Sequence, residues 1–193
     1  MQFNKHFFKQ SVDTIRKIDH KKIENIVNIL VKVRKKGRLF IIGVGGSAGN
    51  ASHAVNDFRK LCKIDAYTPV DNVSEVTART NDEGWETVFL EWLKVSKINK
   101  DDVLMIFSVG GGDKLKNISV NLINAINYAK KKRVKIISIL GSNKGYAFRN
   151  SFVSISNQPD DNKLITPISE ALQALVWHLL VSHPKLQVND TKW

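Results

Sequence analysis

Two pairs of side chains carry the chemistry this sequence offers. His53 and Asp57 stand four residues apart, and Glu170 and His178 stand eight apart towards the carboxyl end. On a helix the first pair shares one face, and the second pair is about 80° apart around the axis, reaching one cleft from successive turns. Imidazole and carboxylate are the usual groups for moving protons near neutral pH, and they are also ordinary ligands of zinc-like cations. The set therefore offers a metal site or an acid–base pair. Plainer readings stand beside it: Glu170 as a first-turn acid facing a helix dipole, and His178 as a hydrogen-bonded core histidine.

The first pair follows a glycine-rich turn. Leu39-Phe40-Ile41-Ile42 is an apolar run of strand length, and Gly43-Val44-Gly45-Gly46-Ser47 comes next. From Ala48 onward Ala51, Ala54, Val55 and Phe58 recur at helical steps. A strand that turns through glycines into a helix aims free N–H groups and the positive end of the helix dipole at one point, which suits a phosphate. The turn is not a P-loop, because no lysine lies between Arg38 and Arg59. It gives only half of the dinucleotide fingerprint, because Ala48 holds the third glycine position, although Asp65 stands near the place of the ribose-binding acid.

These groups need a frame, and the rest of the chain supplies one. Residues 4–36 read as two helices closed by Gly37, the first rich in Phe and a candidate oligomer contact. After the first strand and helix come a short strand over 65–69, a short helix over 72–79 and a polar loop over 80–84. An amphipathic helix with Trp85, Val88, Phe89, Trp92 and Leu93 follows, its tryptophans expected in the core. The cycle then repeats. Val103–Phe107 is a buried strand, Ser108-Val109-Gly110-Gly111-Gly112-Asp113 a second glycine-rich turn, and 118–132 a helix. Val134–Leu140, a short helix, Phe152–Ile155 and a last helix over 167–182 complete the series, with Thr166 as N-cap and Pro167 at its first position. Strands alternating with helices predict an α/β, three-layer αβα domain around a parallel sheet, with ligands at the carboxyl ends of the strands.

Composition narrows the class. A chain of 193 residues with 42% hydrophobic and 25% charged content reads as one globular domain. Its net charge is +12, but the lysines gather at helix ends and no basic patch interleaved with aromatics appears, which argues against nucleic acid. No apolar run of membrane-spanning length and no secretory leader is visible, and the single cysteine, Cys62, suits a reducing cytoplasm.

With these residues in view the chain resembles the sugar isomerase (SIS) domain family, most closely the phosphoheptose isomerases. The likeness rests on GVGGSAGNASHAVND, DNVSEVTARTNDEGWETVF and SEALQALVWHLLVSH. It implies a five-stranded parallel sheet, a cytoplasmic homotetramer with sites between subunits, and conversion of sedoheptulose 7-phosphate to D-glycero-D-manno-heptose 7-phosphate for surface glycans. On this likeness His53, Asp57, Glu170 and His178 hold Zn2+ or another divalent metal, and Asp57 and His178 are acid and base. Asn81 and Asp82 touch substrate, Gly45, Gly46 and Ser47 cradle its phosphate, and Ser108 or Ser119 completes that cradle.

Three departures from the family pattern matter. The second turn loses hydroxyls, is some five residues longer and carries Asp113; Asp57 replaces a glutamate one methylene longer; Glu170 replaces a glutamine, adding a charge that a bound cation would tolerate. They leave open an isomerase of another ketose phosphate, or a non-catalytic sugar-phosphate-binding or adaptor protein of the same fold.

Overall fold

The computed structural model describes residues 1–192. Apolar runs four to six residues long make its central strands: β1 (Leu39–Ile42), β3 (Val103–Ser108) and β4 (Lys135–Leu140) are buried almost throughout, as strands covered on both faces must be. With β2 (Ala66–Tyr67) and β5 (Val153–Ser156) they form one parallel sheet in the order β2-β1-β3-β4-β5. The register sets Leu39 beside Val103 and Val103 beside Lys135.

The strands' alternation divides the core in two. Leu39, Ile41, Met105, Phe107, Ile137 and Ile139 face α2 (His20–Lys36), α3 (Gly46–Cys62) and α8 (Ile165–Val181). Phe40, Ile42, Leu104, Ile106 and Ile136 face α5 (Val88–Val95), α6 (Val120–Lys131) and α7 (Tyr146–Asn150). Each fully buried Leu, Ile or Phe stabilises the fold by about 1.5–3 kcal/mol. The leading helix, α1 (Gln2–Arg16), sets Phe7 against Leu164, Ile168 and Leu172 but leaves Phe3, Phe8, Val12 and Ile15 exposed.

Several elements differ from the sequence reading. The helix expected over 72–79 is α4 (Val73–Glu83), so the expected loop is helical up to Gly84. Asn72 caps it, and Arg79 bonds Glu75 and Glu83 one turn away on either side, carrying the helix through the polar stretch. Trp85 falls before α5 and is 41% exposed, so it is not a core residue. Thr166 is not the N-cap of α8: a 3-10 turn over Asn162–Leu164 runs straight into the helix, and Asp161 caps that turn. Pro167 is accommodated because it stays in the first turn, where backbone N–H groups lack intrahelical partners. Asn162–Val181 is long and apolar enough, by length and composition, to cross a membrane, contrary to the sequence reading. Half of that stretch is buried in the domain.

Candidate active site and metal centre

The strand order reverses between β1 and β3, and α3 leaves the carboxyl end of β1 at that point. Gly45, with φ of 63°, makes the sharp entry to α3 that side chains with a Cβ adopt poorly. From there α3 packs along α8 through a run of buried polar contacts. The Gln173 amide donates to Ser47 Oγ (3.0 Å), and Asn50 Nδ2 donates to Gln173 Oε1 (2.9 Å) and to the Glu170 carbonyl (3.0 Å). Ten residues beyond Ser47 on α3, Asp57 Oδ2 accepts from the Trp177 indole N–H at 3.1 Å. These bonds satisfy groups that would be costly to bury alone, and they fix which residues of the two helices face each other.

What they bring together is His53, Asp57 and His178. Both imidazole Nε2 atoms stand 3.5 Å from the same oxygen, Asp57 Oδ2, and the three donor atoms lie within 4.8 Å of one another. The His178 Nδ1 is 2.8 Å from the Ala174 carbonyl. A carbonyl only accepts, so Nδ1 carries the proton, and the Nε2 of a neutral ring turns a lone pair towards Asp57. The imidazoles are about half exposed, with side-chain accessibilities of 57% and 52%, while Asp57 keeps 11%. The group is thus rooted in the seam and open above it.

The spacing bears on what the group can hold. At 3.5 Å these pairs are longer than ordinary hydrogen bonds of about 2.7–3.2 Å. Two ligands about 2.1 Å from one tetrahedral ion stand about 3.4 Å apart. Nitrogen and carboxylate donors are what zinc takes, and a ligating histidine commonly gives its other N–H to a carbonyl, as His178 does. The residues present fit a divalent cation.

Glu170 is not a member of that close group. Its carboxylate instead lies against Gly46: a Cβ added there would come within 2.4 Å of Glu170 Oε2. That placement bears on the expected phosphate cradle of Gly45, Gly46 and Ser47. An anion of the chain already stands beside the start of α3, and Ser47, 2% exposed, turns its hydroxyl into the seam. Ser108 Oγ accepts from the Gly111 N–H, which shapes the second turn, and Ser119 enters α6 in the left-handed region (φ 52°). Asp113 Oδ1 accepts from the Leu115 and Lys116 N–H groups (2.9 and 3.2 Å). Between this turn and the loop after β4 is a cavity of about 230 Å³ whose lining includes Gly110, Gly112, Asp113, Lys116, Ser142 and Lys144. Asn81 and Asp82 lie exposed on α4 and, among the described residues, bond through their side chains only to each other.

Sequence reasoning missed Asn50 and gave Trp177 only an apolar role. Their signal was faint: Asn50 falls on the α3 face of Ser47 and Asp57, and Trp177 adjoins His178 on a helix whose polar groups needed partners.

The strand order β2-β1-β3-β4-β5 makes this a flavodoxin-like αβα domain, with the candidate site at the sheet's switch point. The SIS domain model matches residues 5–141, and the chain belongs to that family. It is 32% identical over 158 residues to the lincomycin biosynthesis protein LmbN of Streptomyces lincolnensis, covering 76% of this chain and 56% of that one. It is 27% identical over 183 residues to the phosphoheptose isomerase of Helicobacter pylori strain P12, covering 92% and 88% of the two chains. In structure it is similar to a phosphoheptose isomerase from Francisella tularensis (TM-score 0.78, 20% identity, 93% and 92% covered). The Neisseria gonorrhoeae phosphoheptose isomerase gives a TM-score of 0.76 at 19% identity, with 90% and 93% covered.

Proposed function

We propose that the chain is a phosphosugar isomerase, interconverting a ketose phosphate and an aldose phosphate, with sedoheptulose 7-phosphate the foremost substrate and D-glycero-D-manno-heptose 7-phosphate its product. The observation that carries this reading is the meeting of His53, Asp57 and His178 over one carboxylate oxygen between α3 and α8. Relatives named phosphoheptose isomerase support the substrate class.

The chemistry asked of the site is small. One group removes a proton from C1 of the ketose, giving an enediol, and a proton is delivered to C2 while the hydroxyl proton passes from O1 to O2. Asp57 and His178 are the acid and base, since they face each other at 3.5 Å beneath the open side of the seam and positioned groups of this kind contribute about 10²–10⁴-fold. When a divalent cation, zinc by donor type, is bound, His53, Asp57 and His178 would hold it and it would supply positive charge to the substrate oxygens. The His178 Nε2 lone pair is then committed to the cation instead of to proton transfer. Glu170, whose carboxylate lies beside Gly46, is assigned to a sugar hydroxyl instead of the phosphate. The phosphate is assigned to the cavity beside the second turn, where the two lysines Lys116 and Lys144 outweigh the one carboxylate of Asp113, with the Ser119 hydroxyl at the entry to α6 the candidate donor. Asn81 and Asp82 are assigned to substrate carried on a neighbouring subunit, in a homotetramer joined partly through the exposed face of α1. A reducing cytoplasm suits the buried thiol of Cys62.

The altered second turn favours one further reading, an isomerase for a different ketose phosphate. A panel of pentulose, hexulose and heptulose phosphates, followed for aldose phosphate with and without zinc, tests both. Turnover of the heptulose alone supports the first reading, another ketose phosphate the second, and no aldose phosphate from any of them defeats the isomerase.

A further inference from the structure

Asp57 is the one member of the close group that both imidazoles face, and its two oxygens are held differently. Oδ1 accepts from Asn56 Nδ2 at 3.1 Å. Oδ2, the oxygen 3.5 Å from His53 and from His178, has the indole N–H of Trp177 as its hydrogen-bond donor. Trp177 is 1% exposed and cannot swing away: its ring stacks on Phe107 of β3 (centroids 5.9 Å, 21°) and meets His53 (5.3 Å) and His178 (4.9 Å). One rigid ring therefore touches the sheet and all three polar groups.

We infer that Trp177 is a positioning residue: its N–H and its anchorage on Phe107 hold Asp57 Oδ2 towards His53 and His178, and so set the geometry of the cation site. This rests on the functional reading given above. Aspartate has a short arm, so it cannot search for a ligand position as a longer acid does, and its placement depends on whatever fixes the α3–α8 seam at that level. An indole does this better than an aliphatic side chain, because it fills the gap and also supplies a donor. Partners of this kind typically change metal affinity or activity 10–100-fold when removed.

The test uses the full-length protein freed of metal with a chelator and titrated with Co2+, followed by visible absorption. His178→Ala marks the loss of a ligand. Trp177→Phe keeps a ring and removes the N–H. If Trp177→Phe fails to fold by circular dichroism, benzothienylalanine at 177 replaces the N–H by sulfur in a ring of the same shape. We expect Co2+ affinity to fall 10–100-fold in the N–H-less protein, with the melting curve retained, and kcat to fall at least tenfold while KM stays within twofold. Affinity and kcat both within twofold of wild type would reduce Trp177 to a packing residue and overturn the inference. Should the wild type bind no Co2+, the metal reading fails by itself, and the split between kcat and KM then decides the role of Trp177.

Discussion

The carboxylate of Glu170 rests on the α-carbon of Gly46, so closely that a methyl group at 46 would come within 2.4–2.6 Å of three of its atoms. The atoms displaced would be the far end of a flexible side chain, and residue 46 lies within α3, where alanine is favoured over glycine. Gly46→Ala is therefore expected to change stability by no more than about 1 kcal/mol while driving Glu170 from its place. If Glu170 meets substrate, kcat/KM falls at least tenfold, and adding Glu170→Gln to Gly46→Ala costs little more. Thermal melts and steady-state kinetics on the two single variants and the double variant check this, and full activity in Gly46→Ala counts against a substrate role for Glu170.

Asp57→Asn preserves the shape of a side chain that is almost buried, and His178→Ala truncates one that is half exposed. Both are expected to fold and to lose about 10²–10⁴-fold in kcat. Because the two groups act on one substrate, the double variant should be hardly worse than either single one. Independent, multiplying losses would show that Asp57 and His178 do not work as a unit.

Much of this arrangement is legible in the sequence, and the reason is periodicity. The runs Leu39–Ile42, Val103–Phe107 and Val134–Leu140 can only be covered strands, and the four-residue step from His53 to Asp57 sets both on one helix face. That α8 would bring His178 to them follows from the resemblance and not from any local rule. What stayed hidden depends on contacts between elements. Nothing near Gly46 announces that Glu170 lies on it, and nothing in Trp177 distinguishes a donor to Asp57 from a core aromatic. The continuation of α4 through Glu83 was missed because Thr80-Asn81-Asp82 reads as loop until the pairs made by Arg79 are seen.

At the opposite end of the strands from the site, Asp102 is 2% exposed and accepts from the backbone and guanidinium of Arg38 and from the Asn99 N–H. The bond to Asp102 raises the pKa of Arg38 above its ordinary value. Asp102→Ala would strand the Arg38 charge and two backbone donors, and removing one partner of a buried pair costs about 3–5 kcal/mol. With Arg38 partly open to water, about 2–4 kcal/mol is expected in urea unfolding, with kcat/KM unchanged at temperatures where the variant is folded.

Cys62, fully buried below the Val181 carbonyl, has its thiol pushed up from 9.0 to about 11 by burial. The folded state thus favours the protonated thiol. Its contribution is complete below pH 9, the unfolded value, and is lost as pH rises to about 11. Two pH units correspond to about 3 kcal/mol. Unfolding curves at pH 8, 9.5 and 11 should fall more steeply for the wild type than for Cys62→Ala, and iodoacetamide should label the native protein only at the rate of its opening. Prompt labelling at pH 8 would contradict the buried, protonated thiol.

Phe8, Val12 and Ile15 follow each other at steps of four and three on α1 and are 68%, 44% and 40% exposed. The same helix is held to its own chain elsewhere, by Phe7 against Leu164 and Ile168 and by the Gln10 side chain against the backbone of Asp160 and Asp161. Its apolar outer stripe is thus left over after α1 has docked, which is what a contact between copies requires. Phe8→Glu places a charge at the most exposed point of that stripe and gives up only an edge-on contact with Phe7 (centroids 6.2 Å), so folding should be retained. Light scattering on the eluting protein should give a tetramer for the wild type and a smaller species for Phe8→Glu. If sites are completed between subunits, activity falls with the tetramer and returns as protein concentration drives assembly. An unchanged mass for Phe8→Glu would move the interface to another face, with the exposed Leu175 and Leu179 of α8 the next to be substituted.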